Sequence, residues 1–199
     1  MKRKSKEGKL FLGILVAVLV LGVGYAAITG VNLLINGSAT AKATATDGDF
    51  VVHFDDFVSN GNYITYTENA GSDSFTQTFD TVKHITAGSN TTDKSASITV
   101  ANDRLSADVA VSNMTNVGDK VVLTIPVINE SEGIKADLST NITNNNSEYF
   151  NVTAETATNT LNSNGVTTTI TVTVEVVKVP KVNNVQGSFT VTLTADPTE

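Results

Sequence analysis

The sequence predicts an all-β protein: an antiparallel two-sheet sandwich, jelly-roll-like, preceded by an N-terminal hydrophobic signal or anchor helix. Three observations carry this. The 199 residues include 30 Thr, 26 Val and 20 Asn, a load of β-branched and turn-forming types that favours strands and turns over helices. Apolar and polar residues alternate with a period of two in segment after segment. Clusters of Asn, Gly, Ser and Asp separate those segments. The length suits one domain with a sizeable core. With no Cys, a disulfide framework, Cys-ligated zinc and a thiol nucleophile are excluded.

The chain divides into three parts: residues 1–26, 27–46 and 47–199. Residues 1–9 hold Lys2, Arg3, Lys4, Lys6 and Lys9 against Glu7; the rest holds eight basic and nineteen acidic residues, a net of −11. An acidic body repels nucleic acid and anionic membrane surfaces, so neither is an expected partner, and membrane contact is limited to the N-terminal segment. Leu10–Leu21 carries no polar side chain and leads into Gly22, Val23, Gly24, Tyr25, Ala26 and Ala27. Basic tail, short apolar run and small-residue exit are the parts of a secretory signal peptide. Gly24 and Ala26 supply the small residues for cleavage ahead of Ala27 by a signal peptidase. The competing reading is an uncleaved anchor, since no charge intervenes between Leu10 and Ala41. Either way the body lies outside the cytoplasm, at the cell surface or beyond it.

Segment 27–46 is apolar and alternating, with Val31, Leu33 and Ile35 interleaved with Asn32, Leu34 and Asn36. It reads as the first strand of its own sandwich or as a strand donated to a neighbour. In all, ten to twelve strands are expected between Val31 and Ala195. Leu105, Ala107, Val109 and Val111 share one face; so do Val121, Leu123, Ile125 and Val127, and so do Phe189, Val191, Leu193 and Ala195. Ile170, Val172 and Val174 alternate with Thr, and the run Val176–Val179 then breaks phase, which predicts a bulge or a crossing between sheets. Pro126 lacks a ladder donor and predicts an edge or bulged position.

Candidate chemistry is sparse. His53 and His84 are the two imidazoles; a strand over 50–57 puts His53 on an exposed face opposite Phe50, Val52 and Phe54. A metal site would need His53 with Asp55, and Asp56 or His84. Calcium ligation by Asp47, Asp49, Asp55 and Asp56 is the one conceivable cofactor role, without an EF-hand spacing. No His-Glu-x-x-His, Gly-x-Ser-x-Gly or phosphate loop occurs, so no enzyme, no catalytic residue and no cofactor are expected.

Gly22–Ile28 resembles the end of signal peptides handled by the SipW-type peptidase of Gram-positive bacteria. The segment Asp108–Ile134, with Val117-Gly118-Asp119 in its first turn and Asn129-Glu130-Ser131 in its second, resembles the most recognisable stretch of the TasA/camelysin family. The last strand, Gly187–Ala195, is similar in character to that family's last strand, whereas 47–97 shows no likeness. The resemblance implies a secreted jelly-roll protein that self-assembles into a homopolymer, an extracellular fibre of the biofilm matrix. It further implies that the segment freed by cleavage inserts into the next subunit, here through Ile28, Val31, Leu33 and Ile35. Two other readings compete: a membrane-anchored surface module, adhesin-like, for a glycan or protein, and a camelysin-like metalloprotease, which the missing zinc motif disfavours.

Overall fold

The computed structural model describes residues 33–43, 50–68, 74–180 and 185–198. The described residues form thirteen strands, one more than the upper count expected from sequence, and contain no helix. In chain order they are β1 (Leu33–Ala43), β2 (Val52–Phe54), β3 (Ile64–Thr67), β4 (Phe75–Thr81), β5 (His84–Ser89), β6 (Ser95–Val100) and β7 (Ser106–Met114). There follow β8 (Lys120–Asn129), β9 (Lys135–Asn144), β10 (Phe150–Thr156), β11 (Thr160–Leu161), β12 (Val166–Val176) and β13 (Val185–Thr198).

Two sheets enclose one core. The larger has the order β11-β9-β13-β1-β7-β6-β5-β4; the smaller has β10-β12-β8-β2, with β3 also pairing β8. From β4 to β7 the chain meanders by hairpins; from β7 onward it alternates between the sheets at every step. The alternation read in β8, β12 and β13 is the burial pattern observed. Val121, Leu123, Ile125 and Val127 face the core with Ile170, Val172 and Val174 from β12 and Phe189, Val191, Leu193 and Ala195 from β13. Burial of such side chains is worth about 1.5–3 kcal/mol each, which drives the two sheets together.

Several expectations are corrected. Leu105 precedes β7 and is exposed, whereas Ala107, Val109 and Val111 are buried. The phase break at Val176 marks a crossing and not a bulge: β12 pairs β10 without a register shift up to Val176, where the strand ends, and the next described strand, β13, lies in the larger sheet. Val176 is buried and Val177 is exposed. Pro126 lies on neither an edge nor a bulge, because β8 is flanked on both sides. On one side Pro126 pairs with Thr169 of β12; on the other, β3 stops at Leu123 and β2 starts at Val127. Thr124 donates its N–H to the Tyr63 carbonyl at 2.7 Å, so the absent N–H of Pro126, two residues on, faces the break between β3 and β2.

The second turn of the sequence motif is a buried hub. Asn129 is fully buried; its amide donates to the carbonyls of Ile134 (2.9 Å) and Leu161 (3.3 Å) and its Oδ1 accepts from the Ser131 N–H (3.1 Å). Ser131 Oγ in turn accepts from the Val51 N–H at 2.8 Å. Asn129→Ala leaves two carbonyls and an N–H without these partners and is expected to cost about 1–3 kcal/mol. Urea unfolding would read this as a lower midpoint at unchanged slope.

Candidate assembly site

Strand β1 occupies an interior position of the larger sheet. It runs parallel to β13, from Leu33↔Val185 to Ala43↔Ala195, and antiparallel to β7, from Leu33↔Met114 to Thr40↔Ser106. It is thus the first strand of its own sandwich, in the register of the intramolecular alternative. Every other strand pair among the described residues is antiparallel. The odd-numbered positions of β1 align with buried residues of both neighbours: Gly37 with Phe189 and Val109, Ala39 with Val191 and Ala107. The even positions Asn36, Ser38, Thr40 and Lys42 align with Ser188, Thr190, Thr192 and Thr194 of β13. The polar–apolar alternation of the segment's sequence is thus in register with that of β13. Asn113, with φ 60°, bulges β7 opposite the step from Leu33 to Ile35, so that Val111 and Met114, three residues apart, are both buried.

One position fixes β1 in its lane. A Cβ on Gly37 would overlap Cζ and both Cε atoms of Phe189, whose ring lies across the glycine backbone. Phe189 is buried, so its ring has nowhere to retreat. The same device recurs one strand over, where the fully buried Phe150 of β10 fills the space beside Gly187 of β13. Neither glycine stood out in the sequence. The available signal was an isolated Gly inside an alternating strand pattern, which marks close approach by another group.

Of the residues assigned to assembly, Leu33 and Ile35 lie in β1. Ile28 and Val31, and the cleavage residues Gly24, Ala26 and Ala27, lie outside the described residues, as does the expected N-terminal helix. Asp47 and Asp49 also lie outside them. Asp56 is paired with Arg104 at 2.9 Å, and Asp55 accepts the Asp56 N–H. His53 is not on an exposed face: all three residues of β2 are buried. Its Nδ1 lies 2.9 Å from the Phe54 carbonyl and its Nε2 3.1 Å from Glu130, so the ring is held by two acceptors. His84 sits in the other sheet, between Thr99 Oγ1 (2.6 Å) and Asp80 (3.2 Å). Among the described residues no three His, Asp or Glu side chains converge as a metal site.

Among the described residues, the most deeply buried charges, Lys94 and Asp119, lie where sequence reading placed none. Lys94, just before β6, has a side chain only 4% exposed; its ammonium donates to Tyr66 Oη at 2.7 Å and to Glu68, and stands 3.6 Å from Asp119 Oδ2. Burial pulls the Lys94 pKa down, but the hydrogen bonds to Glu68 and Tyr66 outweigh it and hold the ammonium above its ordinary value. Burial likewise pushes the Tyr66 phenol up to about 12, against the pull of Lys94. Asp119 is fully buried, and its Oδ2 accepts the backbone N–H groups of Thr115 (3.1 Å) and Asn116 (3.0 Å). Comparison with protein-family models, with curated proteins and with solved structures finds no match for this chain.

Proposed function

We propose that this chain is a secreted structural protein of the TasA/camelysin type. It is the subunit of an extracellular fibre of the biofilm matrix, polymerising with copies of itself by strand addition. In this reading a signal peptidase cleaves ahead of Ala27, the mature protein acts outside the cell, and it carries no catalytic site and needs no cofactor. The sandwich is a jelly roll, a reading supported by the alternation of β7–β13 between the two sheets.

The observation that carries the proposal is the position of β1. The chain's N-terminal described strand fills a lane between β13 and β7, and without it the larger sheet divides into β11-β9-β13 and β7-β6-β5-β4. Both flanking strands would then present unpaired N–H and C=O groups and buried apolar side chains, the conditions that recruit a foreign strand. A second copy's β1 offers the same residues in the same register, so exchange replaces each contact by its equivalent. Eight residues separate Ala43 from Val52. Such a link reaches at most about 26–29 Å, enough for β1 to leave its lane while β2–β13 stay packed.

Negative-stain electron microscopy of the purified chain starting at Ala27 tests the proposal. Unbranched fibres of uniform width are expected, and the same chain lacking residues 27–43 should form none. A wild-type protein that stays monomeric at every concentration and salt condition, or a truncated one that still makes fibres, would contradict it.

A further inference from the structure

We propose that Lys94 and Asp119 condense into an intramolecular isopeptide bond, with Glu68 as the proton carrier, so that the two sheets become covalently joined. Lys94 leads into β6 of the larger sheet and Asp119 into β8 of the smaller, and the bond would close a loop containing β6 and β7.

The geometry supplies each requirement of the reaction. The nucleophile is confined: Lys94 Nζ stands 3.6 Å from Asp119 Oδ2, and both side chains are shut away from solvent. Oδ2 is bonded directly to Cγ, the carbon to be attacked, so the ion pair holds the amine nitrogen beside the reacting carboxyl group. The electrophile is oriented. Asp119 Oδ2 sits between two backbone N–H donors, from Thr115 and Asn116, which stabilise the negative charge that builds on that oxygen as nitrogen attacks the carboxyl carbon. The other oxygen, Oδ1, is buried and has no hydrogen-bond partner, which marks it as the one to leave. The proton carrier touches the nucleophile, because Glu68 accepts directly from Nζ and its side chain is 11% exposed. Tyr66 holds the ammonium from a second side, and its ring stacks on Phe75 at 4.8 Å.

The atoms balance without any co-reactant. Glu68 takes one proton from the Lys94 ammonium, and that proton passes to Asp119 Oδ1, leaving a neutral amine beside a neutral carboxyl. Nζ attacks Cγ, and charge collects on Oδ2 in its cradle of N–H groups. Glu68 takes a second proton from nitrogen and delivers it to the Oδ1 hydroxyl. The Cγ–Oδ1 bond breaks, water leaves, and Glu68 returns to its starting state. A buried ion pair becomes a neutral amide, which removes the desolvation penalty on both charges. The cavity beside Lys94, about 320 Å³ and lined by Glu68, Thr92, Asp93, Asn113 and Thr115 as well, gives the water a way out.

Intact-mass measurement on the purified wild-type chain tests this directly. The expected mass is lighter than the sequence by one water, and tandem mass spectrometry of a digest should find the peptides bearing Lys94 and Asp119 joined. Lys94→Arg should show the full mass. Glu68→Gln should also show it in freshly purified, folded protein, since loss of the proton carrier slows the step by about 10²–10⁴-fold. A wild-type chain of full mass after prolonged incubation at neutral pH overturns the proposal. So does a missing water that maps to another site, such as a succinimide, or one that persists in Lys94→Arg.

Discussion

Phe150→Ala is expected to destabilise the protein by about 3–5 kcal/mol, the largest loss predicted for any single apolar truncation here. Phe150 is fully buried, and its ring occupies the space that a side chain at position 187 would otherwise fill. It belongs to β10 in the smaller sheet, while Gly187 belongs to β13 in the larger, so the ring couples the two layers. Alanine removes the ring, and the glycine opposite offers no side chain to fill the hole. Urea denaturation followed by circular dichroism should show a lowered midpoint with an unchanged slope. Val58→Ala, at a position 71% exposed, is the matched control and should shift stability by no more than about 0.5 kcal/mol. Equal effects at the two positions would mean that the layers are not coupled through Phe150.

Gly37→Val is expected to abolish fibre formation and to lower the stability of the monomer by about 1–3 kcal/mol through overpacking. The cause is local. Any Cβ at this position meets the Phe189 ring, and Phe189 is held by burial. The lane between β13 and β7 is the same whether it receives the chain's own β1 or a second copy's, so the obstruction acts in both settings. The double variant Gly37→Val/Phe189→Ala removes the obstructing ring and should regain part of both properties. Failure of the double variant to assemble, with its monomer folded, would assign Gly37 a role unrelated to that ring.

The elements legible in the sequence were those whose two faces differ in chemistry. In β8 and β13 every second residue is apolar along most of the strand, and one face of a sheet buries those residues. Sequence periodicity carries no information about what lies beside a strand. Pro126 reads as an edge residue for that reason, yet it sits where one neighbour of β8 gives way to the next. His53 reads as exposed because it alternates with Val52 and Phe54, but β2 is covered on both faces and Glu130 comes from a distant turn to meet it. Turn chemistry transferred better. The clusters around Asn60, Gly118 and Asn164–Gly165 adopt the positive φ that their residues tolerate. The Lys94 cluster was invisible, because Glu68, Lys94 and Asp119 come from three separate segments that only the packed sandwich brings together. Leu33 and Ile35 were legible as strand residues; the need for glycine at position 37, under the Phe189 ring, was not.

Whether β1 passes from one copy to the next is most directly measured with a pair of cysteines across the β1–β7 register. The native chain has none, so Ser38→Cys with Asp108→Cys introduces the pair at aligned positions, and Asp108 lies on an exposed face. Fibres assembled under reducing conditions are then oxidised and run on a denaturing gel without reductant. Strand addition predicts a ladder of covalent multimers, because the thiol introduced at position 38 of each subunit stands beside the one at position 108 of the next. Oxidation of the monomer before assembly should instead lock β1 in its own lane and prevent fibres. Fibres whose oxidised subunits all migrate as cross-linked monomers would contradict assembly by exchange of β1.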